Sequence, residues 1–345
     1  MIHFDTTKAG ASGHRSGLLR VSARLREELG DAVEDIRWPT WDREVRPGDW
    51  FFTTELFSET ERPGIGVFLS SRPCRLAATF NDAIPLKHPH ITWPRSVARH
   101  PGYLKLLARF DHIWAISETS RRELLGYWSW LGVERPPPVD ILALGADFNT
   151  RPRVTHREKI PGRPRVLCLG ILEPRKNQAL LLDVCEALWA DGLAFELHLV
   201  GRLNPHFGRP LVSRIRALQR RFPGLLHHYP KADDNSLARL YTTARVTAFP
   251  TIAEGCGLPV IESLWMGVPC ICSDLPVLLE NAAGGGCRPT RLNDRPAWMR
   301  AIREILTDDR LYARLVTEAT SRQLPTWSAA AAALRAVLGT ANPAS

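Results

Sequence analysis

The chain has 345 residues, of which 44% are hydrophobic and 23% are charged, a composition typical of a soluble globular protein that is long enough for two domains. No apolar run reaches the roughly 18 residues of a membrane-spanning helix, and the N-terminal segment lacks the apolar core of a signal peptide. The seven cysteines are odd in number and fall mostly in apolar segments, which predicts reduced thiols in a cytoplasmic protein and excludes a disulfide framework.

The net charge of +9 is unevenly distributed along the chain. Residues 1–150 contain 19 Lys and Arg against 19 Asp and Glu, whereas residues 151–345 contain 26 against 17. No repeat of aromatic and basic residues accompanies this positive excess, so we expect no nucleic-acid partner. We also expect no zinc site at Cys270 and Cys272, because no matching Cys or His pair follows them at a zinc-site spacing.

The first half combines short strands with helices. Leu18, Val21, Leu25 and Leu29 recur at helical spacing, and the polar loop that ends at Gly17 precedes this helix. Because the first N–H groups of a helix have no intrahelical partner, Gly17 marks a candidate anion-binding loop. Further predicted elements are strands at residues 49–52, 74–80 and 113–116 and a helix at residues 103–110.

Two tryptophans in the segment GYWSWLG, Trp128 and Trp130, admit two interpretations. They could line a binding cleft or enter a membrane interface, as amphipathic aromatic rings do. Ordinary packing is the commoner role for such residues. The sequence therefore leaves a peripheral association with the membrane open.

Proline-rich segments mark a domain boundary. Residues 136–138 are all proline, and residues 150–165 contain three more prolines and no periodicity, which predicts an interdomain linker. Strands and helices then alternate, which indicates a parallel, doubly wound sheet. The predicted strands lie at residues 165–170, 196–201, 246–249 and 270–272, and the predicted helices at residues 178–189, 211–222, 237–241, 296–307 and 312–322.

The most informative stretch runs from Ala248 to Glu280. An apolar strand ends at Pro250, a loop with two glycines follows, and a helix begins near Pro259 and ends at Gly267. The unpaired amides of Gly257, Leu258 and Val260 at this helix N-terminus suit an anionic phosphate.

Two carboxylates, Glu254 and Glu262, flank this helix start. They could accept hydrogen bonds from hydroxyl groups on either side of a bound phosphate. Alternatively, they are ordinary acids of the first helical turn, which the helix dipole favours. The pair alone does not decide between these interpretations.

The string EGCGLPVIESLWMGVPCICSD, residues 254–274, resembles the signature of the retaining GT4-type glycosyltransferases, which have the GT-B fold. The match includes Glu254, Gly255, Gly257, Leu258, Pro259, Glu262, Gly267, Pro269, Ser273 and Asp274. The resemblance implies an α/β protein with two Rossmann-like, doubly wound domains that face each other across a cleft. It also implies an acceptor-binding domain at residues 1–150, onto which residues 326–345 pack, and a nucleotide-sugar-binding domain at residues 151–325.

The family's site residues transfer to matching positions. Arg175 and Lys176 match a basic pair that neutralises the donor diphosphate. By the same resemblance Glu254 would hold the donor sugar and Glu262 the ribose, beside a binding segment made of Gly255, Cys256, Gly257 and Leu258. In the first half, the loop at Gly17 resembles the loop whose backbone faces the diphosphate.

Residues 81–86, NDAIPL, resemble a family element in which His precedes Asp. Here Asn81 replaces that His and cannot carry a proton at neutral pH, whereas Asp82 is retained. Asn81 is therefore a candidate substrate-binding residue. Asp82 is a candidate catalytic residue and, equally, a candidate turn-forming Asp.

The implied function is a hexosyltransferase that moves a sugar from a nucleotide-diphosphate sugar, with GDP-mannose the first choice, to a glycan or lipid-linked glycan acceptor in cell-surface polysaccharide synthesis. The implied reaction needs no cofactor and no metal ion. A GT-B hydrolase or epimerase acting on the same nucleotide-sugar remains an alternative, as does a nucleotide-sugar-binding scaffold without turnover. The oligomeric state does not follow from the sequence.

Overall fold

Two six-stranded parallel sheets form the framework of the protein, one in each of two units of the chain. The computed structural model describes residues 1–9, 17–38, 40, 45–148, 151–158 and 160–339. The first unit comprises Met1–Gly145 and Pro325–Ser345, and the second comprises Ala146–Leu324. The sequence placed this division a few residues later, at 150 and 151.

The first unit alternates strands and helices along most of its length. Its strands are β1 (Ile2–Asp5), β2 (Val33–Ile36), β3 (Trp50–Thr53), β4 (Arg75–Phe80), β5 (His112–Ala115) and β6 (Val139–Ile141). Its helices are α1 (Gly17–Leu29), α2 (Ile65–Ser71), α3 (Ile84–Lys87), α4 (Pro94–Leu107), α5 (Glu118–Trp130) and, from the end of the chain, α13 (Trp327–Leu338).

The second unit follows the same alternation. Its strands are β7 (Arg165–Leu169), β8 (Glu196–Val200), β9 (Leu226–Tyr229), β10 (Val246–Phe249), β11 (Cys270–Ser273) and β12 (Cys287–Thr290). Its helices are α6 (Gln178–Ala190), α7 (Arg209–Arg221), α8 (Asp234–Thr243), α9 (Leu258–Trp265), α10 (Pro276–Ala282), α11 (Arg295–Thr307) and α12 (Asp309–Ser321).

The strand order makes each unit doubly wound. The order is β2-β1-β3-β4-β5-β6 in the first sheet and β12-β11-β10-β7-β8-β9 in the second, and every neighbouring pair is parallel. In the first sheet, successive strands are added on one side of β1 and then on the other, so the strand order reverses between β1 and β3. In the second sheet it reverses between β7 and β10 in the same way. Such reversal points open a crevice at the carboxyl ends of the strands. The prediction of two Rossmann-like domains is confirmed.

Buried apolar side chains on both faces hold each sheet between its helices. In the second unit, Leu197 and Leu199 of β8 face one cluster, which also contains Leu181, Cys185 and Trp298. Cys270 and Cys272 lie on one face of β11 and Ile271 on the other, as their alternation predicts. All seven cysteines are free thiols.

The last helix returns to the first unit, as the resemblance implied. Helix α13 packs against α1, and the Arg335 guanidinium donates a hydrogen bond of 2.9 Å to the carbonyl oxygen of Glu28. The buried face of α13 is formed by Trp327, Ala331 and Leu334, which recur at helical spacing. Among the helices that the structure describes, none has the length and apolar character needed to cross a bilayer.

The predicted interdomain linker is anchored to the second unit. The Val154 amide donates a hydrogen bond of 3.0 Å to the carbonyl oxygen of Trp265, at the end of α9. The Arg157 guanidinium donates to the carbonyl oxygens of Met266 at 3.1 Å and Ala244 at 2.8 Å. Residues 151–158 therefore hold the C-terminal end of α9 in place.

Trp128 and Trp130, for which the sequence allowed two roles, differ in burial. Trp128 is 1% exposed, and its indole N–H donates to the carbonyl oxygen of Leu104 at 2.9 Å. Trp130 is 79% exposed. Trp128 is therefore a core residue, and only Trp130 is available to a ligand or a membrane surface.

A buried ion cluster lies at the reversal point of the first sheet. Nη2 of Arg62 lies 2.6 Å from Oδ2 of Asp5 and 2.6 Å from Oε2 of Glu55, and all three side chains are almost completely buried. Glu55 also accepts hydrogen bonds of 2.9 Å from the amides of Lys8 and Ala9. The cluster thus fixes the backbone that leads from β1 toward α1.

We expect Arg62→Met to lower the free energy of unfolding by about 3–5 kcal/mol, because it leaves two buried carboxylates without a counter-ion. Arg72→Met is the matched control, since Arg72 pairs with Asp111 at the surface, where an ion pair contributes at most about 1 kcal/mol. Urea unfolding followed by tryptophan fluorescence measures both changes.

The pH dependence sharpens this test. Burial, followed by the charge of Asp5, raises the pKa of Glu55. Because its pKa is raised, Glu55 takes up a proton as the pH falls, which neutralises the buried charge that Arg62→Met leaves unpaired. At about pH 8 Glu55 stays charged. The loss of unfolding free energy in Arg62→Met should therefore be larger at about pH 8 than at about pH 5. Equal losses in the two variants, or a loss that does not change with pH, would contradict the structural role of this cluster.

Candidate functional site

The reversal point of the second sheet brings two loops together. Strands β7 and β10 are neighbours, with Val246 paired to Val166, so the segments that follow them emerge side by side at the carboxyl edge. The segment after β7 forms a single 3-10 turn at Pro174–Lys176 before α6 begins. The segment after β10 contains Glu254 and leads into α9. Ligands of doubly wound sheets bind at this position.

One carboxylate oxygen joins the two loops. Oε1 of Glu254 lies 2.6 Å from Nζ of Lys176, 3.1 Å from Nη1 of Arg175 and 2.7 Å from Oγ1 of Thr251. The side chains of Glu254, Lys176 and Arg175 are 9%, 11% and 23% exposed, respectively. The sequence placed these three residues in one site, and the structure brings them into direct contact.

Backbone contacts hold the same loops in place. The carbonyl oxygen of Arg175 accepts hydrogen bonds of 2.9 Å from the Ile252 amide and from the Thr251 hydroxyl. The Arg175 guanidinium donates in turn to the carbonyl oxygen of Ala253 at 3.0 Å. Arg175 and Lys176 are therefore held in place in the crevice. They are not part of a solvated basic surface.

A second carboxylate supports Arg175 from the other side. Oε1 of Glu173 lies 3.1 Å from Nε of Arg175, and Oε2 of Glu173 accepts a hydrogen bond of 3.0 Å from the side-chain amide of Asn204. Sequence reasoning missed Thr251, Glu173 and Asn204. Glu173 and Thr251 could have been found from their places just after β7 and β10, but the partnership with Asn204 is visible only in three dimensions.

The charges of the site are mutually stabilised. Burial alone would raise the pKa of Glu254, but Lys176 and Arg175 hold that pKa below its usual range. Burial lowers the pKa of Lys176, and the charge of Glu254 opposes this shift. Lys176 also lies over the ring of Phe249, with Nζ 4.8 Å from the centroid. Glu254 is thus held as a carboxylate, opposite two cations.

The start of α9 requires a glycine. Gly257 has φ of +77°, and a Cβ there would lie 2.5 Å from Cδ2 of Leu278. The side-chain amide of Asn281 donates to the carbonyl oxygen of Cys256 at 2.6 Å, which fixes the loop before the helix. One detail of the prediction is wrong: the Val260 amide is not unpaired, because it donates to the carbonyl oxygen of Gly257 at 2.9 Å.

Glu262 lies in the second turn of α9, and its side chain is 6% exposed. Glu254 precedes the helix and Glu262 follows its first turn, so neither is an acid of the first helical turn. Ordinary helix-start acids are solvated, whereas both of these side chains are buried. Gly255 and Leu258 are buried in the same segment, and burial raises the pKa of the Cys256 thiol to about 12.

The remaining predicted residues belong to the first unit. Asn81 follows β4, is 4% exposed, and its carbonyl oxygen accepts a hydrogen bond of 2.8 Å from the Ser120 hydroxyl. Its side-chain nitrogen has no hydrogen-bond partner among the residues that the structure describes. Oδ1 of Asp82 accepts a hydrogen bond of 3.0 Å from the Ile84 amide, the geometry of a turn-forming Asp.

Gly17 is the first residue of α1, and a Cβ there would meet no atom within 4 Å. The rest of the predicted loop, residues 10–16, lies outside the described residues. The proposal that this loop faces an anion therefore remains a prediction.

A comparison with protein families gives a match to the model described as "Glycosyl transferases group 1" over residues 163–308. This range contains Arg175, Lys176, Glu254 and Glu262.

Curated relatives are bacterial enzymes. The serotype-specific mannosyltransferase WbdA of Escherichia coli is 27% identical over 221 residues, which cover 59% of this chain and 26% of the relative. The O-antigen chain mannosyltransferase B of Escherichia coli is 26% identical over 275 residues, which cover 71% of this chain and 65% of the relative. The chain thus spans about a quarter of the length of the WbdA proteins it matches.

Solved structures share the architecture. HepE of Anabaena, in complex with UDP and glucose, has a TM-score of 0.73 at 14% identity and covers 98% of this chain and 99% of its own. Sucrose-phosphate synthase of Thermosynechococcus elongatus has a TM-score of 0.70 at 16% identity and covers 97% of each chain. The chain therefore has the GT-B fold, and residues 163–308 are similar to the glycosyl transferases group 1 family.

Proposed function

We propose that the protein is a retaining glycosyltransferase that moves a hexose from a nucleotide-diphosphate sugar to a hydroxyl group of a glycan or lipid-linked glycan. One observation supports this most strongly: Glu254 is joined to Arg175 and Lys176 at the reversal point of the second sheet. A buried cluster of this kind, at the position where doubly wound sheets bind ligands, suits a sugar joined to a diphosphate.

The two cations would receive the diphosphate. When the bond to the sugar breaks, negative charge develops on the leaving diphosphate, and preorganised positive groups stabilise that charge without reorganising. The ammonium group of Lys176 has three N–H bonds, and its contact with Glu254 uses one of them. The N-terminal amides of α9 would add further hydrogen bonds to phosphate oxygens.

The carboxylates would receive hydroxyl groups. We propose that Glu254 contacts the donor sugar and also keeps Arg175 and Lys176 oriented, and that Glu262 contacts the ribose. The backbone of Gly255, Cys256, Gly257 and Leu258 would line the donor between them. In this scheme fixed protein charges replace a metal ion at the diphosphate, in agreement with the lack of an Asp-x-Asp motif in the sequence.

The first unit would bind the acceptor. Asn81 offers a buried side-chain nitrogen that lacks a partner among the described residues, and a buried donor of this kind fits a polar ligand. We therefore assign Asn81 to substrate binding. Asp82 stays a catalytic candidate, and its hydrogen bond from the Ile84 amide also gives it a structural role in the turn.

Mannose is the proposed sugar, because the WbdA relative is named a serotype-specific mannosyltransferase and another relative is named an O-antigen chain mannosyltransferase. GDP is the proposed nucleotide by the resemblance alone, whereas HepE was solved with UDP. The same relatives favour cell-surface polysaccharide synthesis. Seven free thiols fit a reducing cytoplasm, where a lipid-linked acceptor would be reached at the inner face of the membrane.

A donor panel tests the reaction class. We expect the protein to release nucleoside diphosphate from one nucleotide-sugar, GDP-mannose first, only when a glycan acceptor is present, and to do so in excess EDTA. Equal release with and without acceptor would identify a hydrolase instead. Donor binding without release across a broad acceptor panel would identify a scaffold.

The two buried acids should act differently. We expect Glu262→Gln to weaken binding of the bare nucleoside diphosphate about tenfold or more, because a hydrogen bond to a charged group contributes roughly 1.5–3 kcal/mol. Glu254→Gln should reduce turnover by about 10²–10³ and reduce diphosphate affinity less, since it removes a contact to the reacting sugar. Calorimetric titration and the transfer assay measure the two effects.

Glu304→Gln is the matched control, because Glu304 pairs with Arg288 at the surface of the same unit. It should leave both quantities unchanged. If Glu254→Gln and Glu262→Gln also match the wild type within a few-fold, the two acids have only a structural role.

A further inference from the structure

A compact group of ligand-type side chains lies at the opposite edge of the second sheet. Glu196 and His198 lie on β8, and His227 lies beside them on β9, where it pairs in register with His198. Glu196 begins its strand, so the group is at the amino-terminal edge, whereas Glu254 follows the carboxyl end of β10. The proposed glycosyl transfer does not use these residues.

The geometry of the group is that of a small coordination site. One ligand atom from each residue lies within 4.8 Å of the others. Nε2 of His198 is 2.9 Å from Oε2 of Glu196, and Nε2 of His227 is 4.0 Å from the same oxygen. Two ligands of a tetrahedral zinc ion are about 3.3 Å apart, so a small movement of His227, whose side chain is 37% exposed, would complete the site.

Outer contacts already orient the buried histidine. Nδ1 of His198 lies 3.1 Å from the hydroxyl oxygen of Tyr229, which leaves Nε2 directed at Glu196. Histidines that bind metal ions usually donate the N–H of their second ring nitrogen to an oxygen atom. The rings of His198 and His227 stack with centroids 4.6 Å apart, which places both imidazoles on one side of the sheet.

We propose that Glu196, His198 and His227 bind a divalent transition-metal ion of the zinc type, with water in the remaining position. Two imidazoles and one carboxylate favour such an ion over Mg²⁺ or Ca²⁺, which prefer oxygen ligands. The ion links the edge strand β9 to β8 and is structural. On binding, His227 exchanges its contact with the Gly224 carbonyl oxygen, now 3.2 Å, for the metal.

Calorimetric titration of the full chain with Zn²⁺, after removal of metals by chelation, tests this proposal. The wild type should bind one equivalent and show a raised unfolding temperature, and Mg²⁺ should do neither. His227→Gln and His198→Gln should each weaken Zn²⁺ binding by about 100-fold or more, since even outer-partner substitutions cost about 10–100-fold. Tyr229→Phe should fall in that smaller range. His156→Gln, at an exposed histidine of the same unit, should bind like the wild type.

Cobalt replaces zinc as a spectroscopic probe of the ligand set. Co²⁺ should give the visible bands of a tetrahedral nitrogen and oxygen site without thiolate charge transfer. A thiolate band, one equivalent of Zn²⁺ that persists in His227→Gln, or no wild-type binding at micromolar concentrations would each overturn the proposal. Nucleoside diphosphate affinity, measured in parallel, shows that each variant is folded, and it should not depend on zinc.

Discussion

The central constraint of this structure is a buried carboxylate that needs two cations. Glu254 is 9% exposed, and an ionised carboxylate at that depth is costly unless it is paired and hydrogen-bonded. Lys176 and Arg175 supply the charge, and Thr251 supplies a further hydrogen bond. Since the cations follow β7 and the acid follows β10, this requirement ties together the two loops that define the crevice. The start of α9 at Gly257 follows directly on the loop that contains Glu254.

The first unit meets a similar constraint at its own reversal point with the opposite charge pattern. There one buried guanidinium, Arg62, serves two carboxylates, Asp5 and Glu55. Glu55 then accepts hydrogen bonds from the amides of Lys8 and Ala9, so the cluster fixes the backbone that follows β1. In both units a desolvated ion cluster at the carboxyl edge orders loops that the sheets alone leave unspecified. The amino edge of the second sheet carries the group of Glu196, His198 and His227, which lies away from the crevice.

Local patterns predicted most of the framework. The unit from β10 through α9 to β11 was predicted closely, because Pro259, Gly267 and the apolar spacing between them each have a local cause. Strands β1, β2, β9 and β12 were missed. Of these, β9 contains two adjacent histidines and β12 contains a proline, so neither alternates apolar and polar residues. The sequence also placed Glu254 near Lys176, but only through a family resemblance. The partners Thr251, Glu173 and Arg62 make contacts across loops, which no local pattern encodes.

The central claim is that Lys176 and Arg175 form a diphosphate site, and calorimetric titration with a nucleoside diphosphate and the corresponding monophosphate tests it most directly. The account predicts that the wild type prefers the diphosphate by about tenfold or more, because each charged hydrogen bond contributes roughly 1.5–3 kcal/mol. Lys176→Met should lose most of that preference, whereas Lys231→Met, at an exposed lysine of the same unit, should keep it. Equal wild-type affinity for the two nucleotides, or an unchanged preference in Lys176→Met, would contradict the account.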